Sequence, residues 1–174
     1  ADVFWNNEIA HTIRLKDLGL TTPYAPATAE GIPAIFIDAD NHYTGFAARA
    51  RVIMYRTDIE MNYPKHLNDF LNPEYAENGV MAQPLTGTTL SNFAYLIQQS
   101  STAEVVQWFD DVKSAGLGFA AGNADAMRRV CAGDYAWCFT DTDDAAKAVV
   151  NGYPVAIHYL DQGMGENGAM LIPN

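Results

Sequence analysis

Three carboxylates, Asp141, Asp143 and Asp144, follow directly on the apolar run Tyr135 to Phe139. The switch from apolar to acidic reads as the carboxyl end of a strand turning into a helix that Ala145 to Val150 continue. In open α/β sheets, ligands sit just outside such strand ends. Oxygen-only carboxylates suit hard cations, which Asp141 and Asp143 together with Glu8 could bind directly or through water, and the same groups accept hydrogen bonds from hydroxyl-rich solutes. They are also good helix starters, because Asp and Thr are preferred N-caps and acidic first turns favour the helix dipole. Asp141 and Asp143 have the residue type for carboxylate-based hydrolysis as well, although spacing in sequence does not give the separation that chemistry requires.

Three other places share the form of strand end, small polar residues and helix start. Thr86-Gly87-Thr88 has the clearest physical case, since exposed backbone N–H groups, the positive end of a dipole and two hydroxyls make a ready anion site. It is not a P-loop, because no Lys follows the glycine at the required place. Asn6-Asn7-Glu8, just after Trp5, and Asn123 are the others. Arg49 and Arg51 lie two apart on an expected strand, so both side chains share one face. Such a pair could clamp a carboxylate or phosphate, or could pair with acidic residues. The four histidines are scattered, with His158 on an apolar strand, and no nucleophile motif is present. Cys131 and Cys138 would permit a disulfide in an oxidising compartment or remain as buried thiols.

The elements that must position these groups alternate. Val3-Phe4-Trp5 is expected to be a short strand, followed by a helix through Ile9 and Ile13 up to Gly19. Thr21 to Pro33 is a proline-rich loop. Ala34 to Ile37 is expected as a strand, Thr44 to Thr57 as one long strand, and Pro64 to Leu71 as a helix. Gly79 to Gln83, Phe119 to Gly122, Tyr135 to Phe139 and Val155 to Tyr159 are strands. Between them lie helices with Leu90, Phe93, Ala94 and Ile97 on one face, then Val105 to Val112, Ala124 to Cys131, and the helix after Asp144. Alternation of this kind predicts an α/β fold with mostly parallel sheets and flanking helices.

Composition narrows the function classes. A net charge of −11, with only ten Lys and Arg among 174 residues, argues against nucleic acid, whose binding is driven by clustered basic residues. No apolar run approaches the ~20 residues of a membrane span, so no direct membrane insertion is expected. Both ends fall within apolar stretches, as expected for a piece of a longer chain.

Taken in order, Ala1 to Glu8, Gly45 to Tyr55, Pro84 to Thr88, Ala121 to Asn123 and Phe139 to Asp144 resemble the ferric-ion-binding-protein family of bacterial ABC importers. The resemblance implies a class II periplasmic-binding-protein fold of two lobes joined by hinge strands near Arg49 to Tyr55 and Val155 to Tyr159. Residues 1–50 and 160–174 would form part of lobe one and 51–159 lobe two, with further residues before Ala1 and after Asn174. It implies a periplasmic or extracytoplasmic solute-binding protein with a membrane permease as partner, no enzyme activity and no cofactor. The ligand contacts it implies are Trp5, Asn6, Asn7, Glu8, Arg49, Thr86, Gly87, Thr88, Asn123, Asp141, Thr142 and Asp143.

This chain departs from the family's iron binders at the metal ligands. Two adjacent tyrosines would align with Thr142 and Asp143 and a glutamate with Asn7, and neither is present here. The expected ligand is therefore a small organic anion such as a sugar phosphate or phosphonate, with ferric iron as the alternative. A carboxylate hydrolase and the ligand-sensing domain of a regulator are readings from other classes, although no DNA-binding segment accompanies the latter.

Overall fold

Val52, Ile53 and Met54 are completely buried, as expected of a continuous apolar run covered on both faces. They lie in β1, Ala48–Arg56, the strand on which the larger of two compact units is built. The computed structural model describes residues 2–6, 9–160 and 171–173. It divides into Ala1–Arg49 with Leu171–Asn174, and Ala50–Met170.

In the larger unit the remaining strands are β2 (Gly79–Ala82), β3 (Gly118–Ala120), β4 (Trp137–Asp141) and β5 (Val155–Tyr159), in the order β3-β2-β4-β1-β5. β2 runs parallel to β3 and β4, whereas β1 is antiparallel to both β4 and β5. The β1–β4 register sets Arg51 opposite Asp141 and Ile53 opposite Phe139. Helices α2 (Pro73–Ala76), α3 (Gly87–Gln99), α4 (Thr102–Ser114), α5 (Asn123–Ala132) and α6 (Thr142–Val150) complete the unit. One face of the sheet packs Val52, Met54, Val80 and Cys138 with Ala126 and Val130 of α5. The other packs Ile53, Met81, Trp137 and Phe139 with Phe70, Phe93 and Val112.

Several expected elements differ. Pro64 to Leu71 is not an α-helix: Leu67–Leu71 is a 3-10 turn, and α2 begins after it at Pro73, with Asn72 accepting a hydrogen bond from Glu74 N. Proline at a first helical position lacks an N–H that would be unsatisfied anyway, so it starts this helix rather than ending the preceding one. On α3 the buried side chains are Thr88, Thr89, Asn92 and Phe93, while Leu90 and Ala94 are exposed. The apolar pattern missed this face because polar residues line it, and the partners of Thr88 and Thr89 are described below. Cys131 and Cys138 are both free thiols, and burial pushes the Cys138 thiol well above its ordinary range.

The smaller unit holds α1 (Ile9–Asp17), two 3-10 turns, at Ala27–Ala29 and Ala34–Phe36, and β6 (Leu171–Pro173). Residues 2–6 are not a strand, and Val3 and Trp5 are each 78% exposed. Ala34 to Ile37 contributes only an isolated bridge, Ile37 with Thr44, and the long strand expected from Thr44 starts at Ala48. No hydrophobic side chain among the described residues of this unit is buried, so alternating apolar residues find no second layer to hold them in a sheet. A cavity of about 690 Å³ opens here between Trp5, Tyr24, His42, Tyr43 and Phe46.

Polar contacts carry this unit. Lys16 Nζ donates to both oxygens of Asp38, at 2.7 and 2.9 Å, and His42 N donates to Asp38 Oδ2. The ammonium of Lys16, more than the backbone N–H, holds the Asp38 carboxyl below its usual range. A depressed folded-state value means that the contribution is present above the ordinary carboxylate value of about 4 and is lost as pH falls through the lower one. Asp38→Asn is therefore expected to flatten the acid limb of stability against pH, with no added change near neutrality beyond the lost ion pair. An unaltered acid limb in denaturant melts from pH 2 to pH 6 would refute this.

Candidate functional site

The carboxyl end of β4 delivers Asp141 as the residue preceding α6, yet its side chain makes no cap bond to that helix. It turns instead to Arg51 across the register, where Nη1 donates to Oδ1 at 2.5 Å with both side chains essentially inaccessible. The guanidinium lies over the Phe139 ring, 4.2 Å from its centroid. Burial draws Arg51 below its ordinary value, and the charge of Asp141 opposes that shift. Of the two readings open for the arginine pair, Arg51 takes the structural one. Arg49 is half-buried and lies in the smaller unit.

The second oxygen of Asp141 collects the helix starts. Thr88 of α3 donates its hydroxyl to Oδ2. Asn123, the first residue of α5, donates Nδ2 to the same oxygen at 2.9 Å and to Thr88 Oγ1 at 2.8 Å. Thr89 closes the circuit by donating to Asn123 Oδ1 at 2.9 Å. The local backbone makes this possible at Gly87, whose φ of +69° is a left-handed conformation that glycine adopts at little cost. The turn that follows faces Thr88 inward, so Thr88 is 2% exposed while Thr86 remains at the surface.

The first turn of α6 brings the other acidic groups. Thr142 accepts a hydrogen bond from Ala50 N at 3.1 Å, which ties the helix start to β1. Asp143 is exposed and Asp144 half-buried. Asp141, Asp143 and Asp144 can each offer a carboxylate oxygen such that the three lie within 4.8 Å of one another, the one such group of His, Cys, Asp or Glu ligands among the described residues.

Of the expected contacts, Thr86, Gly87, Thr88, Asn123, Asp141, Thr142 and Asp143 gather in the larger unit. Trp5, Asn6 and Arg49 belong to the smaller one, and Asn7 and Glu8 lie outside the described residues. Three participants were missed at the level of sequence: Arg51 as the partner of Asp141, Thr89, and Asp144 as the third member of the carboxylate cluster. The alternation Arg49-Ala50-Arg51 signalled a charge entering a buried strand, but the register that identifies its partner joins residues ninety apart.

A family model described as bacterial extracellular solute-binding protein matches residues 10–163. Iron-bound HitA from Pseudomonas aeruginosa is 23% identical and superposes with a TM-score of 0.83 over 99% of this chain and 56% of its own. The ferric binding protein from Campylobacter jejuni is 24% identical, with a TM-score of 0.81 over 99% and 58%. Apo FutA2 from Synechocystis PCC6803 is 20% identical, with a TM-score of 0.67 over 92% and 55%. This chain thus spans a little over half the length of these proteins, and the likeness establishes the periplasmic-binding-protein-like α/β fold. No curated protein sequence matches the chain significantly. Among the described residues, no helix is long and apolar enough to cross a membrane.

Proposed function

We propose, from a chain that belongs to the bacterial extracellular solute-binding protein family, that it forms the ligand-capturing part of the solute-binding component of an ABC importer. Its cargo in this reading is ferric iron, held by carboxylates at the start of α6. The family comprises binding proteins rather than enzymes, and capture of this kind needs no resident cofactor. Ala50–Met170 would be the second lobe and the smaller unit part of the first, acting outside the cytoplasm with a membrane permease.

The observation that carries this reading is the convergence of Asp141, Asp143 and Asp144. A small, highly charged cation prefers anionic oxygen ligands. The arginine neutralises Asp141, so Asp143 and Asp144 supply most of the attraction and Asp141 sits beneath them. That ferric-binding proteins share the fold supports the same cargo. The organic-anion reading is weakened by the hydrogen bonds themselves, because the side chains of Thr88 and Asn123, two of its expected donors, are spent on Asp141.

Replacing Asp143 and Asp144 together by asparagine is expected to reduce ferric affinity by at least about 100-fold, since even the outer partners of metal ligands are worth 10–100-fold. Competition against citrate measures it. Equal affinity in the double variant, or stabilisation of the wild type by sugar phosphates and not by ferric salts, would remove the iron reading.

A further inference from the structure

We propose that Asp141 is a built-in anion: its carboxylate occupies the donors at the starts of α3 and α5 that an exogenous phosphate or carboxylate would otherwise take, so the site works without a companion anion. Three donors from three elements, Arg51 of β1, Thr88 of α3 and Asn123 of α5, meet on this one side chain. Such an arrangement is how proteins bind a free oxyanion, with helix N-termini and a guanidinium around it. Here the oxyanion is covalently attached through the end of β4.

The hydrogen-bond count leaves these side-chain donors no place for another. An Asn side chain has two N–H donors, and those of Asn123 go to Thr88 Oγ1 and Asp141 Oδ2, while its oxygen accepts from Thr89. The Thr88 hydroxyl has a single proton, and Asp141 receives it. Nε and Nη2 of Arg51 have no partner among the described residues, but the guanidinium is fully buried against Phe139, out of reach of a solute arriving from solvent. The charges of Arg51 and Asp141 cancel. An added anion would meet Asp143 and Asp144 beside it, and like charges at close range disfavour one another. Buried charge pairs are expensive to assemble and collapse when one partner is removed, which accounts for a network this complete around one carboxylate.

This deepens the proposed function by setting the specificity of the same site, and rests on that reading only for where the cargo binds. The experiment therefore uses anions alone, so that a failure to bind iron leaves it interpretable. Removing the carboxylate in Asp141→Ala opens a space lined by three donors. The variant is expected to melt on the order of 10 °C lower than the wild type. Formate at roughly a hundred times its dissociation constant should restore roughly half of that loss, and should leave the wild-type melting temperature unchanged. An Asp141→Ala protein that folds but gains nothing from formate overturns the proposal. If that variant does not fold, the wild type decides. Titration with inorganic phosphate should not move the amide resonances of Gly87, Thr88 and Asn123, and saturable shifts at those three would overturn the proposal equally.

Discussion

Arg51→Met is expected to lower the unfolding free energy by about 3–5 kcal/mol, the range found when one member of a buried ion pair is deleted. The methionine fills much of the volume over Phe139, so the loss reports charge rather than a cavity. Asp141 would keep the bonds from Thr88 and Asn123 and lose the guanidinium that pairs with it, in a fully buried position. Pairing the change with Asp141→Leu makes the number diagnostic. A well-packed apolar pair in place of a buried ion pair is often neutral. The double variant should therefore recover about 1–3 kcal/mol relative to the sum of the single ones. Urea melts with unchanged m values are the measurement, and a cost below about 1 kcal/mol for Arg51→Met would show that the pair is solvated or absent.

The second large effect lies at the other end of β4. A Cβ added to Gly79 would fall on the Trp137 indole, 2.7 Å from Cη2 and nearer still to Cζ2 and Cε2. Neither side has room to yield. β2 is paired with β3 and β4 on its two edges, and Trp137 is fully buried, with Nε1 donating to Tyr75 O at 2.9 Å and Phe70 packed 4.8 Å away. Gly79→Ala is expected to cost about 3 kcal/mol, the upper end for overpacking a rigid core. Trp137→Ala alone should cost about 3–5 kcal/mol through the cavity it leaves. With Trp137→Phe in the background, the alanine at 79 has space, and its added cost should fall to less than about 1 kcal/mol. Additive costs in chemical denaturation would rule out the clash as the cause.

The proposed iron capture, the proposed anion exclusion and the pairing of Arg51 all involve the same carboxylate. Asp141 was legible as a strand-end acid and its neighbours as a helix start, because a five-residue apolar run followed by acids leaves few alternatives. What its side chain does was not legible. An N-cap and the partner of a buried arginine look alike in sequence, since the choice depends on a strand that crosses from residue 51. The same holds for α3, where alternation of apolar residues suggested one face and the inward polar cluster of Thr88, Thr89 and Asn92 imposed another.

The sequence by itself determined most of the larger unit: β2, β4, β5, and the helices α3 to α6, each announced by apolar period and by Gly, Pro or a polar start. It also carried the family resemblance and the departure from the tyrosine ligands. Only the tertiary structure decided that the side chains of Thr88 and Asn123 donate to Asp141, that Cys131 and Cys138 are not paired, and that residues 2–6 form no strand. The reason is the same in each case. Periodicity reports what a segment offers to a neighbour, whereas hydrogen bonds, disulfides and strand pairing exist only once a residue distant in sequence has been brought within about 3 Å, and that is settled by register and packing.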